Sequence, residues 1–405
     1  NSALDTSRID ARLLKNLPRT LGPKVRVVGW ARYRYFLNYC CFGYSLPFWD
    51  WAQWERLIDW MALNGINMPL APTGLEAVWY NTLLKFNFTD SEAREFLVGP
   101  AFFAWQWMQN IEGHCGPLPK GWIDSHTDLA RKILAREREF GMTPIQQGFS
   151  GHVPRLMKQK FPGDEMRQQP SWCGFPGVMQ LDPLDPLFMK LGRAFIEEEL
   201  RLYGTSHVFA ADPFHESAPP KPGAEYLQQV GKTISKLLTD ADPRALWAMQ
   251  AWSIRKEIAT AVPKDRLLVL DLAGGRRDFW GYDFVVGQLH NFGGRINMHG
   301  DLADVSANKF MSAKKATANA VGMGLFMEGT TQNPVFYNLV FDMMWRDGPG
   351  EAKDWLYRYV RRRYGAESAA AIEAWNILLE TAYRRGTSGV ESSPLGISRR
   401  RIPLN

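Results

Sequence analysis

The sequence predicts an α/β fold: a decorated (β/α)8 barrel followed by the start of an all-α domain. Three observations carry that expectation. Eight short apolar runs of strand length recur between residues 33 and 328, with helical stretches between most of them. Repeated βα units in this number close a parallel sheet into a barrel. The competing architecture, an open doubly wound sheet, places a glycine-rich phosphate loop after its first strand, and none follows the first run here. Beyond residue 350 the pattern turns purely helical.

The first strand candidate is YRYFLNYC (33–40). A helix over 50–64 follows, with Asp50 as N-cap and Gln53 at the capping-box position. Its Trp54, Leu57, Ile58 and Met61 fall at i, i+3, i+4 and i+7, and Gly65 stands where a terminating glycine belongs. INMPLAP (66–72) and MTPIQQGF (142–149) are the next two strands. The stretch 86–140 is long for one connection and contains GPAFFAWQWMQN, so it reads as an elaborated loop on the barrel mouth. A helix from about Asp185 to Tyr203 sets Phe188, Leu191 and Phe195 on one face, and its Glu197–Glu199 read as a solvated face. HVFAAD (207–212), a helix over 223–239, ALWAMQAW (245–252), RLLVLDL (266–272), FVVGQLH (284–290) and VGMGLFME (321–328) complete the series. In the helical tail, Leu356, Tyr359 and Val360, then Ile372, Trp375, Leu379 and Ala382, mark the apolar face. The tail ends in the coil SSPLGISRRRIPLN.

With 405 residues, 45% of them hydrophobic, the chain can bury a large core. Sixteen tryptophans and 13% aromatics are the unusual feature of the composition; the core accounts for most of them, and an excess beyond it is what a sugar cleft shows, where pyranose C–H faces stack on aromatic planes. The net charge of +6 is modest, and the basic residues are scattered apart from Arg361–Arg363 and Arg399–Arg401, which argues against a nucleic-acid partner. Cys40, Cys41, Cys115 and Cys173 have no metal-ligand spacing, and an adjacent Cys40–Cys41 pair makes a poor disulfide framework. No HxxxH or HExxH pattern occurs, so neither a metal nor another cofactor is expected. No GxSxG nucleophile elbow is present. No apolar run approaches the roughly 20 residues that span a bilayer, and no signal peptide opens the chain. The sequon Asn87-Phe88-Thr89 matters only in a eukaryotic secretory protein.

In a barrel, functional groups collect at the C-terminal ends of the strands, because the loops there open on one face. That filter leaves Glu216, just past HVFAAD, and Glu328, ending GMGLFME, with Asp212 and Asp271 near their own strand ends. A single strand-end acid is as well explained by a salt bridge or a loop cap; two glutamates on separate strands of one barrel are more pointed. A carboxyl pair supports glycoside cleavage, one member protonating the leaving oxygen while the other attacks or activates water. A separation of roughly 5 Å retains the anomeric configuration and roughly 6.5–9.5 Å inverts it, and both stay open at this point. Groups suited to hold a sugar surround the pair: Asn38 and Tyr44 after the first strand, Trp105 in the long loop, Trp172 in QQPSWCG, Trp252 ending MQAW, and the loop His290-Asn291-Phe292-Gly293-Gly294. Cys40 sits on a strand end where it could line the pocket, and His215 is placed to bond a sugar hydroxyl or tune the neighbouring acid.

The stretch RYRYFLNYCCFGYSLPFWDWAQWERLIDWMALNGINMPLAPTGLEAVW closely resembles the α-N-acetylglucosaminidases, glycoside hydrolase family 89. EFLVGPAFFAWQWMQN, GPLPKGW, FGMTPIQQGFSGHVP, FAADPFHESAPP, LLVLDL, LHNFGG and GMGLFMEGTTQNPVFY resemble it too, in the same order, from about Arg32 to the end. The resemblance implies a retaining exo-glycosidase removing terminal, non-reducing α-linked N-acetylglucosamine from glycans of heparan sulfate or mucin type. It matches Glu216 to the family's acid/base and Glu328 to its nucleophile, and Asn38, Cys40, Tyr44, Trp105, His215 and Trp252, with Trp172 and Asn291, to its sugar pocket. It also implies a secreted, periplasmic or lysosomal location. The expected division is 1–29 as a linker or remnant of a small N-terminal domain, 30–345 as the catalytic barrel, and 346–405 as the beginning of a helical C-terminal domain that stops early. The stereochemistry agrees: in an α-linked N-acetylglucosaminide the acetamide is cis to the leaving group and cannot displace it, so the enzyme needs its own nucleophile. No adjacent Asp-Glu pair, the arrangement that favours acetamide participation, stands at a strand end. The rival readings are a retaining glycosidase for another anomer or sugar, and a carbohydrate-binding protein without turnover.

Overall fold

The computed structural model describes residues 28–276, 278–293, 298–330 and 333–384. Eight strands form one all-parallel sheet: β1 (Tyr33–Phe36), β2 (Met68–Pro69), β3 (Gln146–Gln147), β4 (Val208–Ala210), β5 (Leu246–Gln250), β6 (Leu267–Asp271), β7 (Phe284–Gln288) and β8 (Ala320–Leu325). Neighbours in sequence are neighbours in space, and β8 returns to pair with β1 in the register Tyr33 with Gly322 through Phe36 with Leu325. The ring closes between β2 and β3 through a parallel bridge of Leu70 and Ile145, with Ile145 N–H donating to the Pro69 carbonyl at 2.8 Å and Ala71 N–H to the Ile145 carbonyl at 3.0 Å. Each of the eight expected runs overlaps one strand, seven of them enclosing it and the last starting one residue after Ala320. The hydrogen-bonded cores are shorter than the apolar runs because a run continues into the buried loop at the barrel mouth.

The outer helices form where the periodicity places them. Helix Trp51–Leu63 begins with the full capping box between Asp50 and Gln53, and Gly65 takes φ 73° just past its end. Its Trp54, Ile58 and Met61 are buried against the barrel. Helices Pro186–Tyr203 and Ala224–Ala241 follow the same logic. After the barrel, helix Ala352–Tyr364 buries Trp355, Leu356, Tyr359 and Val360, turns at Gly365, and pairs with helix Ala369–Glu380. The N-terminal residues 1–27 and the closing coil lie outside the described residues.

The long connection after β2 resolves into two parts. Its first half folds into helices Asp90–Phe96 and Phe103–Trp107 at the barrel mouth, and its second half is the outer helix Lys120–Glu139. The periodicity does not reveal that second helix because its buried face, Ile123, Ala130, Ile133, Leu134 and Glu137, mixes a small residue and a carboxyl into the apolar stripe. A second excursion, after β3, is a three-stranded antiparallel sheet of His152–Val153, Met166–Gln168 and Met179–Leu181.

The expectation that Glu197–Glu199 form a solvated face is corrected. Glu197 is exposed, but Glu198 and Glu199 are buried, because helix Pro186–Tyr203 packs on both the barrel and helix Leu75–Lys85. Burial pushes Glu198 up, and hydrogen bonds from Arg201, Lys85 and Asn81 outweigh it, leaving its pKa at about 2. Glu199 has no such partners: burial lifts it to about 8, against a single hydrogen bond from Gln147 N–H at 3.1 Å. Desolvation likewise lifts Glu76 and Asp212 to about 7. These three carboxyls stay protonated in the folded chain at pH values where the unfolded chain, with a carboxyl pKa of about 4, has released its protons. The stability they confer is complete below about pH 4 and is lost as pH rises through about 7 to 8. The melting temperature is therefore expected to fall from pH 5 to pH 8. Glu199→Gln, which preserves the acceptor for Gln147, should flatten that slope by about one proton, or ~1.4 kcal/mol per pH unit. A slope unchanged by the substitution would contradict the assignment.

Candidate active site

The site begins at the end of β4. Past Ala210 the backbone turns through Phe214 (φ 60°) and Glu216 (φ 47°), both in the left-handed region that L side chains rarely adopt. Such conformations persist where their surroundings impose them. Here the Arg255 guanidinium donates to the Ser217 carbonyl at 2.8 Å and to the Ser253 carbonyl at 3.2 Å, and Glu216 N–H donates to Ser253 Oγ at 3.2 Å. Gln169 and Arg167, from the three-stranded insert, bond the carbonyls of Ala218 and Pro220 on the far side. The Glu216 side chain is thereby aimed into the mouth of the barrel. Its two carboxylate oxygens accept from two indoles: Trp172 Nε1–H at 2.7 Å and Trp252 Nε1–H at 2.8 Å. Trp252 arrives from the end of β5 and Trp172 from the tip of the insert, so three separate segments converge on one carboxylate.

Glu328 lies three residues beyond β8. Its N–H donates to the Asn291 carbonyl at 3.2 Å, and one carboxylate oxygen accepts from Gly293 N–H at 2.6 Å. The Cys40 thiol is pushed well up by burial and then by the charge of Glu328, so it remains protonated and hydrogen-bonds to that carboxylate. Asn38 ties the two strand ends together, donating from Nδ2 to the Phe326 carbonyl at 2.8 Å while its Oδ1 receives Cys40 N–H at 3.0 Å. His215 is buried; desolvation lowers its pKa to about 4 against the attraction of Glu216, so the imidazole is neutral near pH 7.

Glu216 and Glu328 line one cavity of about 150 Å³. Asn38, Cys40, Tyr44, Trp105, Trp172, His215 and Trp252 line it with them. Tyr44 and Trp105 meet edge to face at 5.3 Å, and Tyr44 and Trp252 are about half exposed at the rim. The cleft is smaller than the roughly 300–1,000 Å³ of pockets that bury drug-sized ligands, which suits a single sugar unit. No lysine or arginine is among the described lining residues.

Asn291 stands apart from the other expected pocket residues. It is fully buried behind Glu328, where its side-chain amide brackets the next residue, accepting from Gly329 N–H at 2.9 Å and donating to the Gly329 carbonyl at 3.1 Å. The loop reaches the cavity through Phe292 instead. Sequence reasoning did not single out Met108, Gln250, Leu272 or Leu289 as lining residues. A signal existed for Gln250: in the run ALWAMQAW, read as a strand, it stands two residues before Trp252 and so on the same expected face. Gly293 is held to glycine by proximity, since a Cβ there would lie 1.8 Å from the Tyr44 ring. Gly293→Ala must displace Tyr44 and the amide that binds Glu328, and is expected to lower kcat/KM by about tenfold or more. Unchanged steady-state kinetics would count against the loop's role.

A closed parallel barrel that gathers two carboxylates into an aromatic-walled cavity at its mouth has the architecture of a glycoside hydrolase. The alpha-N-acetylglucosaminidase (NAGLU) tim-barrel domain model matches residues 34–347, the C-terminal domain model of the same family matches 355–399, and the chain belongs to that family. Human alpha-N-acetylglucosaminidase is 36% identical over 390 residues, covering 90% of this chain and 52% of the human one. A family 89 glycoside hydrolase from Clostridium perfringens, solved in complex with PUGNAc, superposes with a TM-score of 0.86 at 33% identity, covering 91% of this chain and 44% of that one. The C. perfringens protein with two glutamates changed to glutamine, in complex with its substrate GlcNAc-alpha-1,4-galactose, matches with the same score and identity. The chain thus spans about half the length of these relatives. No helix among the described residues is long and apolar enough to cross a membrane.

Proposed function

We propose that this chain carries the catalytic barrel of a retaining exo-glycosidase that hydrolyses terminal, non-reducing α-linked N-acetylglucosamine. The observation that carries the reading is the meeting of Glu216 and Glu328, from two strand ends, in one cavity. Glu216 protonates the glycosidic oxygen as the C1–O bond breaks, and Glu328 attacks C1 from the β face to form a glycosyl ester. Glu216, now the carboxylate, takes a proton from water as that water attacks C1 from the α face and releases Glu328. The indole donors suit the second half, when Glu216 must act as base. The neutral His215 offers its ring nitrogens to sugar hydroxyls, and Tyr44, Trp105 and Trp252 supply aromatic surface for the ring. We place the barrel at 30–345, with 346–405 as the beginning of a helical domain and 1–29 as a linker or remnant. Glycans of the heparan sulfate or mucin class, met in a secreted, periplasmic or lysosomal setting, fit a pocket that takes one terminal residue. The GlcNAc-alpha-1,4-galactose held by the C. perfringens relative supports α-linked N-acetylglucosamine as the terminal residue removed.

The test is hydrolysis of an aryl α-N-acetylglucosaminide beside its β anomer, following the first-formed sugar by NMR. Turnover of the α form alone, with α sugar released first, is expected. Turnover of the β form would refute the specificity, first release of β sugar would refute retention, and binding without turnover would favour a carbohydrate-binding role.

A further inference from the structure

Glu328 is fixed less by its own strand than by the segment after β7. Its N–H, its carboxylate and the amide group that follows it all bond to Asn291 or Gly293. Whatever sets the path of His290–Gly293 therefore sets Glu328. His290 is buried between two rings, His299 stacked at 4.3 Å and Phe336 at 4.2 Å, and His299 Nε2 bonds the His290 carbonyl at 2.7 Å. Desolvation holds the His290 imidazole neutral, leaving Nε2 as an acceptor, and Asn333 Nδ2 donates to it at 2.7 Å. Asn333 caps helix Pro334–Asp342 with a left-handed backbone, φ 49° and ψ 51°, and its Oδ1 accepts from Tyr383 Oη–H at 2.7 Å. Tyr383 is 2% exposed and belongs to the helical hairpin, outside the barrel and outside the cavity lining.

We propose that Tyr383 is a positioning residue for Glu328: through Asn333 and His290 its hydroxyl orients the loop whose Asn291 and Gly293 hold the carboxylate. The hairpin is then a working part of the site. This inference rests on Glu328 being the nucleophile, and the test separates the two claims. Tyr383→Phe removes one oxygen and retains the ring. With an aryl α-N-acetylglucosaminide it is expected to lower kcat about tenfold with KM within about twofold, and to lower the melting temperature by a few degrees for the buried hydrogen bond lost. In Glu328→Ala, azide is expected to replace the lost carboxylate, displacing the aryl oxide from C1 on the β face to give the β-glycosyl azide. Adding Tyr383→Phe to that variant should leave the azide-supported rate unchanged, because the carboxylate it places is gone. An equal loss in both backgrounds, or no loss in either, would overturn the positioning role while leaving the nucleophile standing. Failure of Glu328→Ala to form β-azide would sink the nucleophile reading, and the positioning role with it. Should Tyr383→Phe not fold, Asn333→Gly, which keeps a left-handed backbone accessible, cuts the relay at its centre and must show the same pattern.

Discussion

Glu328→Gln is expected to lower kcat on an aryl α-N-acetylglucosaminide by on the order of 10⁵-fold, the scale on which removal of a covalent nucleophile acts. The amide is isosteric with the carboxylate and can still accept from Gly293 N–H, so the cavity and its sugar affinity persist while the attack on C1 is lost. The measurement is steady-state hydrolysis beside calorimetric titration with N-acetylglucosamine. Binding within a few-fold of the parent protein with turnover at background is the expected pair. Substantial residual turnover would show that the covalent step lies elsewhere.

Glu216→Gln gives the second large effect, and its signature is selective. A substrate whose leaving group needs protonation should lose roughly 10²–10⁴-fold in kcat/KM, the range of general acid catalysis. A dinitrophenyl glycoside, which departs as a stable anion, should form the glycosyl-enzyme with only a small loss in rate and then accumulate it, because no base activates water. A burst of dinitrophenolate followed by slow turnover is therefore expected in stopped-flow. Equal losses on both substrates would contradict the acid/base role. The Glu216 indole partners sharpen the test: Trp172 and Trp252 each donate one N–H to the carboxylate, and a glutamine must turn its own NH2 toward one of them. Some loss through misplacement is thus built into the variant on every substrate. The contrast between leaving groups, which misplacement does not produce, identifies the acid/base.

The barrel was legible because its signals are local. A buried parallel strand is a short apolar run and an outer helix repeats every 3.6 residues, so eight runs and the helix after Asp50 could be read without knowing their partners. Local signals failed where burial depended on a distant surface. Nothing in the spacing of Glu198 and Glu199 marks them as interior; they are so because helix Pro186–Tyr203 packs against helix Leu75–Lys85 and the barrel, where Lys85 meets Glu198 and the Gln147 N–H meets Glu199. Helix Lys120–Glu139 was hidden by the same cause, a carboxyl and an alanine on its inner face.

The candidate site divides similarly. Strand-end position narrowed the acids to Glu216 and Glu328, with Asp212 and Asp271 beside them, and the barrel's topology makes such ends converge whatever the loops do. Which groups touch them was settled by loops far apart in sequence. Trp172 reaches Glu216 only through the antiparallel insert after β3, and Asn291 was displaced behind Glu328 because its amide finds Gly329 before it finds the cavity. By itself, then, the sequence determined the barrel and its strand ends, since these follow from periodicity and connection order, and it offered the two glutamates as candidates. Only the tertiary structure decided their hydrogen-bond partners, their neighbours' protonation states and the link from Tyr383 to Glu328. Those depend on distances of a few ångströms between segments that chain order does not constrain.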